Sequence, residues 1–160
     1  MIDLGTQAIS ISYSQLVVFD HSLERPFNGW THRHVTQGFA WRAGSVAFRT
    51  IEEGGQHLVA VTFGGSEHDA VAPNALMVID VPFEVPPDET IEIGSVSKSI
   101  LFKLPAGLYS LRYECFERSG GDVPLIRLSF CRNSSPEFRI VRAGSDFSLK
   151  EPLVLTASPA

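Results

Sequence analysis

The sequence has no long apolar segment. Its uninterrupted apolar runs are short, such as residues 76–79, whereas a membrane-spanning helix needs roughly 20 apolar residues. Residues 1–5 lack the positively charged start and the apolar stretch of a secretory signal. We therefore expect a cytoplasmic protein with no membrane partner.

Cysteine is also scarce. The 160 residues include two cysteines, Cys115 and Cys131, and these form no CxxC pair. They fall in separate strand-like segments, which favours reduced, packed thiols in a cytoplasmic protein. A disulfide between adjacent strands is the alternative that the sequence leaves open.

Motifs of common catalytic sites are missing, including GxSxG, the P-loop, GxGxxG and HExxH. His32 and His34, with His21 upstream, are candidate metal ligands, but residues i and i+2 of a helix point to different faces and would share a face only in a strand. One polar loop places Ser66 and His68 beside two acids, yet adjacency in a loop does not make a catalytic triad. The sequence therefore predicts a protein that is not an enzyme, with no catalytic residues, no metal and no cofactor.

The charge is negative and unevenly distributed. The formal net charge is -5, and residues 1–97 contain 12 acidic and 4 basic residues, whereas residues 98–160 contain 6 acidic and 9 basic ones. Affinity for nucleic acid comes mainly from Lys and Arg that neutralise phosphates, so we expect no direct nucleic-acid partner. The acidic part would attract a basic protein partner, or would serve only to keep the chain soluble.

Arginines recur on the late predicted strands. They are Arg112, Arg127, Arg132, Arg139 and Arg142. Because the rest of the chain is acidic, we expect ion pairs within the sheet rather than a phosphate-binding stripe.

Alternation of apolar and polar residues predicts an all-β fold. The first predicted strand spans residues 8–20, and its apolar face contains Ile9, Ile11, Tyr13, Val17 and Phe19. About nine short strands follow this pattern along the chain, with turn signals roughly every ten residues, which is typical of an antiparallel β-sandwich. The whole of residues 1–160 is expected to form one domain.

One short helix is predicted among the strands. The Thr31 hydroxyl can cap it, residues 32–37 form its turns, and Gly38 can end it in the left-handed conformation. A helix this short needs tertiary contacts for stability, and we expect Trp30, Val35, Phe39 and Trp41 to provide them. Its two histidines are expected to be exposed.

The order of several segments resembles the competence protein J family, the DNA-entry nuclease inhibitors. The similar segments are residues 9–15 (ISISYSQ), Trp30-Thr31, residues 38–40 (GFA), residues 44–48 (GSVAF), residues 81–85 (VPFEV), residues 91–97 and residues 101–109 (LFKLPAGLY). Together they cover residues 9–113, about two-thirds of the chain, and residues 114–160 add further strands. The resemblance implies a small β-sandwich that binds and inhibits a partner deoxyribonuclease, as a competence nuclease inhibitor or an immunity-type protein.

An acidic face could carry this inhibition, because a nuclease site that holds phosphates is basic. The candidate partner-binding residues are Glu67, Asp69, Asp80, Glu84, Asp88, Glu89 and Glu92. Asp80 and Glu84 fall on the outward side of one predicted strand, so we expect both to be exposed.

Three alternatives remain open from the sequence. A carbohydrate-binding sandwich module could stack sugars on Trp30, Phe39 and Trp41. A metal-dependent β-barrel enzyme could use His32, His34 and a carboxylate. A structural protein could pair its sheet edges between copies, and a homodimer is compatible with each interpretation.

Overall fold

Two β-sheets packed face to face form the body of the protein in a computed structural model, which describes residues 1–118, 120–145 and 147–160. The six-stranded large sheet has the spatial order β1-β5-β10-β9-β6-β11, and the five-stranded small sheet has the order β3-β4-β2-β7-β8. The strands are β1 (Ile2–Ile11), β2 (Gln15–Asp20), β3 (Phe39–Arg42), β4 (Ser45–Arg49), β5 (Gly55–Phe63), β6 (Ala75–Val85), β7 (Thr90–Gly94), β8 (Ser99–Lys103), β9 (Gly107–Phe116), β10 (Leu125–Arg132) and β11 (Arg139–Arg142). One helix, α1 (His32–Gln37), precedes β3.

The apolar faces of both sheets meet in a single core. Side chains such as Val59 and Leu111 of the large sheet and Val18 and Ile93 of the small sheet are fully buried there. All neighbouring strands described are antiparallel except β5 and β10, which run parallel. The predicted all-β sandwich with one short helix is thus confirmed, with eleven strands in the described part of the chain rather than about nine.

The first predicted strand is two strands in the structure. A turn at Tyr13 and Ser14, both with positive φ, separates β1 in the large sheet from β2 in the small sheet. Before this turn the odd-numbered residues face the shared core, and after it the even-numbered residues do. Leu16 and Val18 therefore face that core instead of Val17 and Phe19. The expectation that Tyr13 lies on the buried face is wrong, since 80% of it is exposed.

The outer face of the small sheet is covered by the chain itself. Val17 and Phe19 pack there against Leu23, Phe27 and Trp30 of the segment that follows β2. This layer explains why the central strand β2 is apolar on both faces.

Helix α1 has the predicted bounds and caps. Thr31 is its N-cap and Gly38, with φ of 90°, is its C-cap. His34 is buried rather than exposed. Its Nδ1 accepts the Thr31 backbone N–H at 2.9 Å, and its Nε2 lies 2.9 Å from the carbonyl oxygen of Thr156, in the part of the chain that covers it. The helix is held largely by hydrogen bonds to the C-terminal segment, residues 147–160. Val35 contributes little because it is exposed.

Both cysteines are free and buried, as the sequence predicted. Within the described residues, no helix has the length and apolar character required to cross a membrane.

Candidate functional site

A polar pocket of about 520 Å³ opens on the outer face of the large sheet. Alternation along β9 and β10 directs Ser110, Arg112 and Cys131 outward into this pocket, opposite their inward apolar neighbours. The loop of residues 64–74 folds over the sheet and adds His68 and Asp69 to the lining. Polar groups from three parts of the chain therefore meet at one place.

Arg112 is the central group of the pocket. Its Nε and Nη2 donate to the two Asp80 carboxylate oxygens at 2.7 and 2.9 Å, and its Nη1 donates to the Asp69 backbone carbonyl at 3.1 Å. The hydrogen bonds with Asp80 raise the pKa of Arg112 above its ordinary value, although burial acts in the opposite direction. Arg112 thus joins β9 to β6 through a bidentate ion pair and holds the loop through its hydrogen bond to the Asp69 carbonyl.

His68 and Cys131 form a second contact between the loop and the sheet. The Cys131 Sγ lies 3.2 Å from His68 Nδ1, and His68 Nε2 lies 3.0 Å from the Ser110 hydroxyl. Burial lowers the pKa of His68 and raises the pKa of Cys131, so both groups are favoured in their neutral forms. This arrangement fits polar packing better than an activated thiolate, which would need its pKa lowered. Sequence reasoning missed this contact and interpreted the loop as solvated, because nothing local to residues 64–69 indicates a partner on β10.

Asp80 does not have the predicted exposure. It faces outward from β6, as the alternation predicts, but only 6% of it is exposed because Arg112 and the loop cover it. The prediction that Asp80 is an exposed member of an acidic face is therefore wrong.

The other predicted acids are divided between two sides of the molecule. Glu67 and Asp69 are exposed on the loop at the pocket, and Glu84 is exposed further along the outward side of β6. Asp88 and Glu89 are exposed in the turn after β6. Their carboxylates accept the backbone N–H groups of Thr90 at 3.1 Å and of Ala106 at 2.8 Å, respectively.

Glu92 lies on the opposite side. It faces outward from β7 of the small sheet and contacts His21 Nδ1 at 2.9 Å and the Ser99 hydroxyl at 2.5 Å. The seven predicted partner-binding acids therefore do not share one face.

Two of the five late arginines, Arg112 and Arg127, form the expected ion pairs within the sheet in the described structure. Besides the Arg112 pair, Arg127 lies 3.7 Å from the Glu114 carboxylate. Arg142 donates to the backbone carbonyl of Ala72 in the loop at 3.0 Å and to that of Ala75, the first residue of β6, at 2.7 Å. Burial raises the pKa of Glu114, and Arg127 opposes that shift.

The aromatic residues proposed for sugar stacking do not form one platform. Phe39 is fully buried, Trp41 packs against Phe138 and donates to the Pro82 carbonyl at 2.7 Å, and Trp30 lies on the other face of the small sheet. Among the described residues, no group of three His, Cys, Asp or Glu side chains is placed to hold a metal ion.

Comparison with known proteins places the chain in a family. Residues 8–131 match the family model described as Competence protein J (ComJ). The chain is 30% identical over 106 residues, 66% of its length and 76% of the relative's, to the DNA-entry nuclease inhibitor of Bacillus subtilis (strain 168). It also resembles the crystal structure of ComJ from Bacillus subtilis, an inhibitor of the DNA degrading activity of NucA, with a TM-score of 0.69, 25% identity and coverage of 83% of this chain and 99% of that one.

A second solved structure, Crocagin biosynthetic gene J, has a TM-score of 0.54 at 13% identity and covers 81% of this chain and 99% of its own, which shows a shared fold alone. The family match extends over most of the chain and includes β6, β9 and Cys131 of β10, whereas β11, which also lines the pocket, lies beyond it. This chain belongs to the competence protein J family.

Proposed function

We propose that this protein binds a deoxyribonuclease and inhibits it, acting as a binding protein rather than as an enzyme. The observation that carries the proposal is the family match over residues 8–131, together with a relative named as a DNA-entry nuclease inhibitor. The partner would be a nuclease of the NucA type, since NucA is the nuclease that the structurally similar ComJ inhibits.

Exposed acids in the loop before β6, on β6 and in the turn after it would form the contact with the nuclease. We define the acidic strip as Glu67, Asp69, Glu84, Asp88 and Glu89, all of which are exposed. The strip begins with Glu67 and Asp69 at the pocket and continues to Glu84 on the outward side of β6. Asp80 marks where the pocket meets β6, and Glu84 lies four strand residues further along, about 13 Å away. It ends in the turn that follows β6.

The balance of charge at the pocket favours a basic partner. Arg112 is matched by Asp80 through two hydrogen bonds. Of the remaining lining residues with formal charge, Glu67, Asp69 and Glu137 are acidic and Arg139 is basic. A basic DNA-binding groove would be attracted to this surface, and a nuclease occupied in this way could not admit DNA.

Charge reversal tests the acidic strip. Glu67→Lys and Glu84→Lys change side chains that are exposed and make no side-chain hydrogen bond or ion pair in the described structure. We expect each change to weaken binding to the NucA-type nuclease of the same organism by roughly tenfold, because a like charge then faces the basic groove. Binding is measured by calorimetry and inhibition by cleavage of linear DNA.

Glu24→Lys is the matched control. Glu24 is equally an exposed acid, but it belongs to the segment that covers the small sheet, on the opposite side of the molecule. The control variant should bind as the wild type does. Unchanged affinity in a Glu67→Lys/Glu84→Lys double variant would contradict the role of the strip, and a wild-type protein that binds no such nuclease would contradict inhibition itself.

A further inference from the structure

The turn between β1 and β2 has an unusual sequence for its backbone conformation. Tyr13 and Ser14 have φ values of 57° and 56°, the left-handed region that L-residues other than Asn, Asp and Gly rarely adopt. Two-residue turns with positive φ at both central positions strongly prefer Asn-Gly or similar pairs. A tyrosine at the first position therefore costs stability.

Packing does not compensate for this cost. The Tyr13 side chain is 80% exposed and makes no hydrogen bond or ring contact with any residue of the described structure. Ser14, in contrast, is fixed by its backbone, because its N–H donates to the Glu53 carbonyl at 2.9 Å and its carbonyl accepts the Thr50 N–H at 2.8 Å. The turn is thus held rigidly while the aromatic ring projects into solvent.

Another exposed apolar side chain lies beside this turn, and a second lies across a recess from it. The loop after β4, to which Ser14 is bound, carries Ile51, which is 50% exposed. Ile51 lines a recess of about 430 Å³ together with Leu76, which is 40% exposed. We call Tyr13, Ile51 and Leu76 the loop-end patch.

The rim of the loop-end patch carries more acidic than basic groups, and the basic residue that lines its recess is Arg49. Glu53 is exposed close to Ile51 in sequence. Glu117 is also exposed, and its backbone N–H donates at 3.4 Å to the carbonyl of Asn74, which precedes Leu76 by two residues. Glu52 is paired with Arg118 at 2.7 Å. Leu76 stands near the start of β6, and Glu84 of the acidic strip lies towards the other end of the same strand, about 26 Å away.

We infer that the loop-end patch is the apolar centre of the nuclease-binding surface and that Tyr13 is its anchor residue, an inference that rests on the proposed function. Strained residues persist where function selects them, and Tyr is enriched among residues that dominate binding energy at interfaces. Because hydrogen bonds fix the backbone of the turn, binding would have to order only the two side-chain torsions of the ring. The acidic rim suits a nuclease surface with an apolar recess bordered by Lys and Arg.

Tyr13→Asn separates stability from binding. Asn tolerates positive φ, so the variant should melt about 1–3 °C higher than the wild type. It should also bind the NucA-type nuclease of the same organism at least tenfold more weakly, through faster dissociation with an unchanged association rate, since the strip charges are intact. Melting is followed by circular dichroism and binding by surface plasmon resonance.

Two control variants sharpen the test. Tyr13→Phe keeps the ring and should bind within about threefold of the wild type. Leu101→Asn removes another exposed apolar side chain, 57% exposed on the edge strand β8, and should leave binding unchanged. If wild-type protein inhibits the nuclease and Tyr13→Asn binds equally well, the inference fails and the proposed function stands. Wild-type protein that does not bind the nuclease overturns both, and a Tyr13→Asn variant that melts lower overturns the argument from strain.

Discussion

The Arg112–Asp80 pair is a structural element of the pocket rather than a free surface charge. Its side chains are only 7% and 9% exposed, and the guanidinium also holds the Asp69 carbonyl of the covering loop. A buried ion pair contributes little compared with an apolar pair of similar volume, but removal of one partner leaves an uncompensated buried charge. The burial of each charge is therefore tolerated only while the other residue is present.

Asp80→Ala should lower the free energy of unfolding by about 3–5 kcal/mol, because Arg112 would stay buried without its carboxylate partner. The double change Asp80→Leu/Arg112→Met should recover part of that loss, as a double-mutant cycle in urea would show. The double variant should still inhibit the nuclease if Asp80 has no direct contact with it. A stable double variant that no longer inhibits would instead assign a contact to one of these residues.

At the scale of elements, helix α1 depends on the C-terminal segment. The Gln37 Nε2 donates to the Phe39 and Val154 carbonyls, both at 2.9 Å, and its Oε1 accepts the Val154 N–H at 2.9 Å. Arg33 donates to three further carbonyls of the segment, including that of Pro152 at 2.9 Å. The segment lies beyond the residues matched by the family model, so this chain stabilises its helix with residues outside that match.

Gln37→Ala should release the C-terminal segment. The fully buried amide makes three hydrogen bonds, and their loss should cost about 2–3 kcal/mol of unfolding free energy. Amide hydrogen exchange in residues 147–160 should become faster at the same time. Val35→Ala, on the exposed side of the same helix, is the control and should change stability by no more than about 0.5 kcal/mol. Unchanged exchange in Gln37→Ala would show that other contacts hold the segment.

Local signals predicted some elements well and others not at all. Helix α1 was predictable because Thr31 and Gly38 each determine one end by short-range chemistry. The division of residues 8–20 was not, since a polar Ser14 and an aromatic Tyr13 continue the alternation and give no turn signal. The burial of Asp80 could not be read from the sequence because its partner Arg112 lies 32 residues away.

At the scale of the whole molecule, the acidic and basic parts of the sequence do not form separate sides. The strand β6, which carries Asp80 and Glu84, lies between β9 and β11, which carry Arg112 and Arg139. Under the proposed function, long-range attraction to a basic nuclease would depend on the net charge of -5 and on which acids remain exposed and unmatched.

The rate of association with the nuclease should fall with salt while dissociation changes little. Between 50 and 500 mM NaCl we expect a decrease of roughly tenfold in the association rate, because screening shortens the reach of the acidic strip, whereas contacts at the loop-end patch are mainly apolar. Glu84→Lys, which changes the net charge as much as Glu24→Lys does, should show a shallower dependence than Glu24→Lys in stopped-flow measurements. Equal salt dependence in both variants would mean that steering comes from the overall net charge, because each exposed acid would then contribute according to its charge and not to its place on the strip.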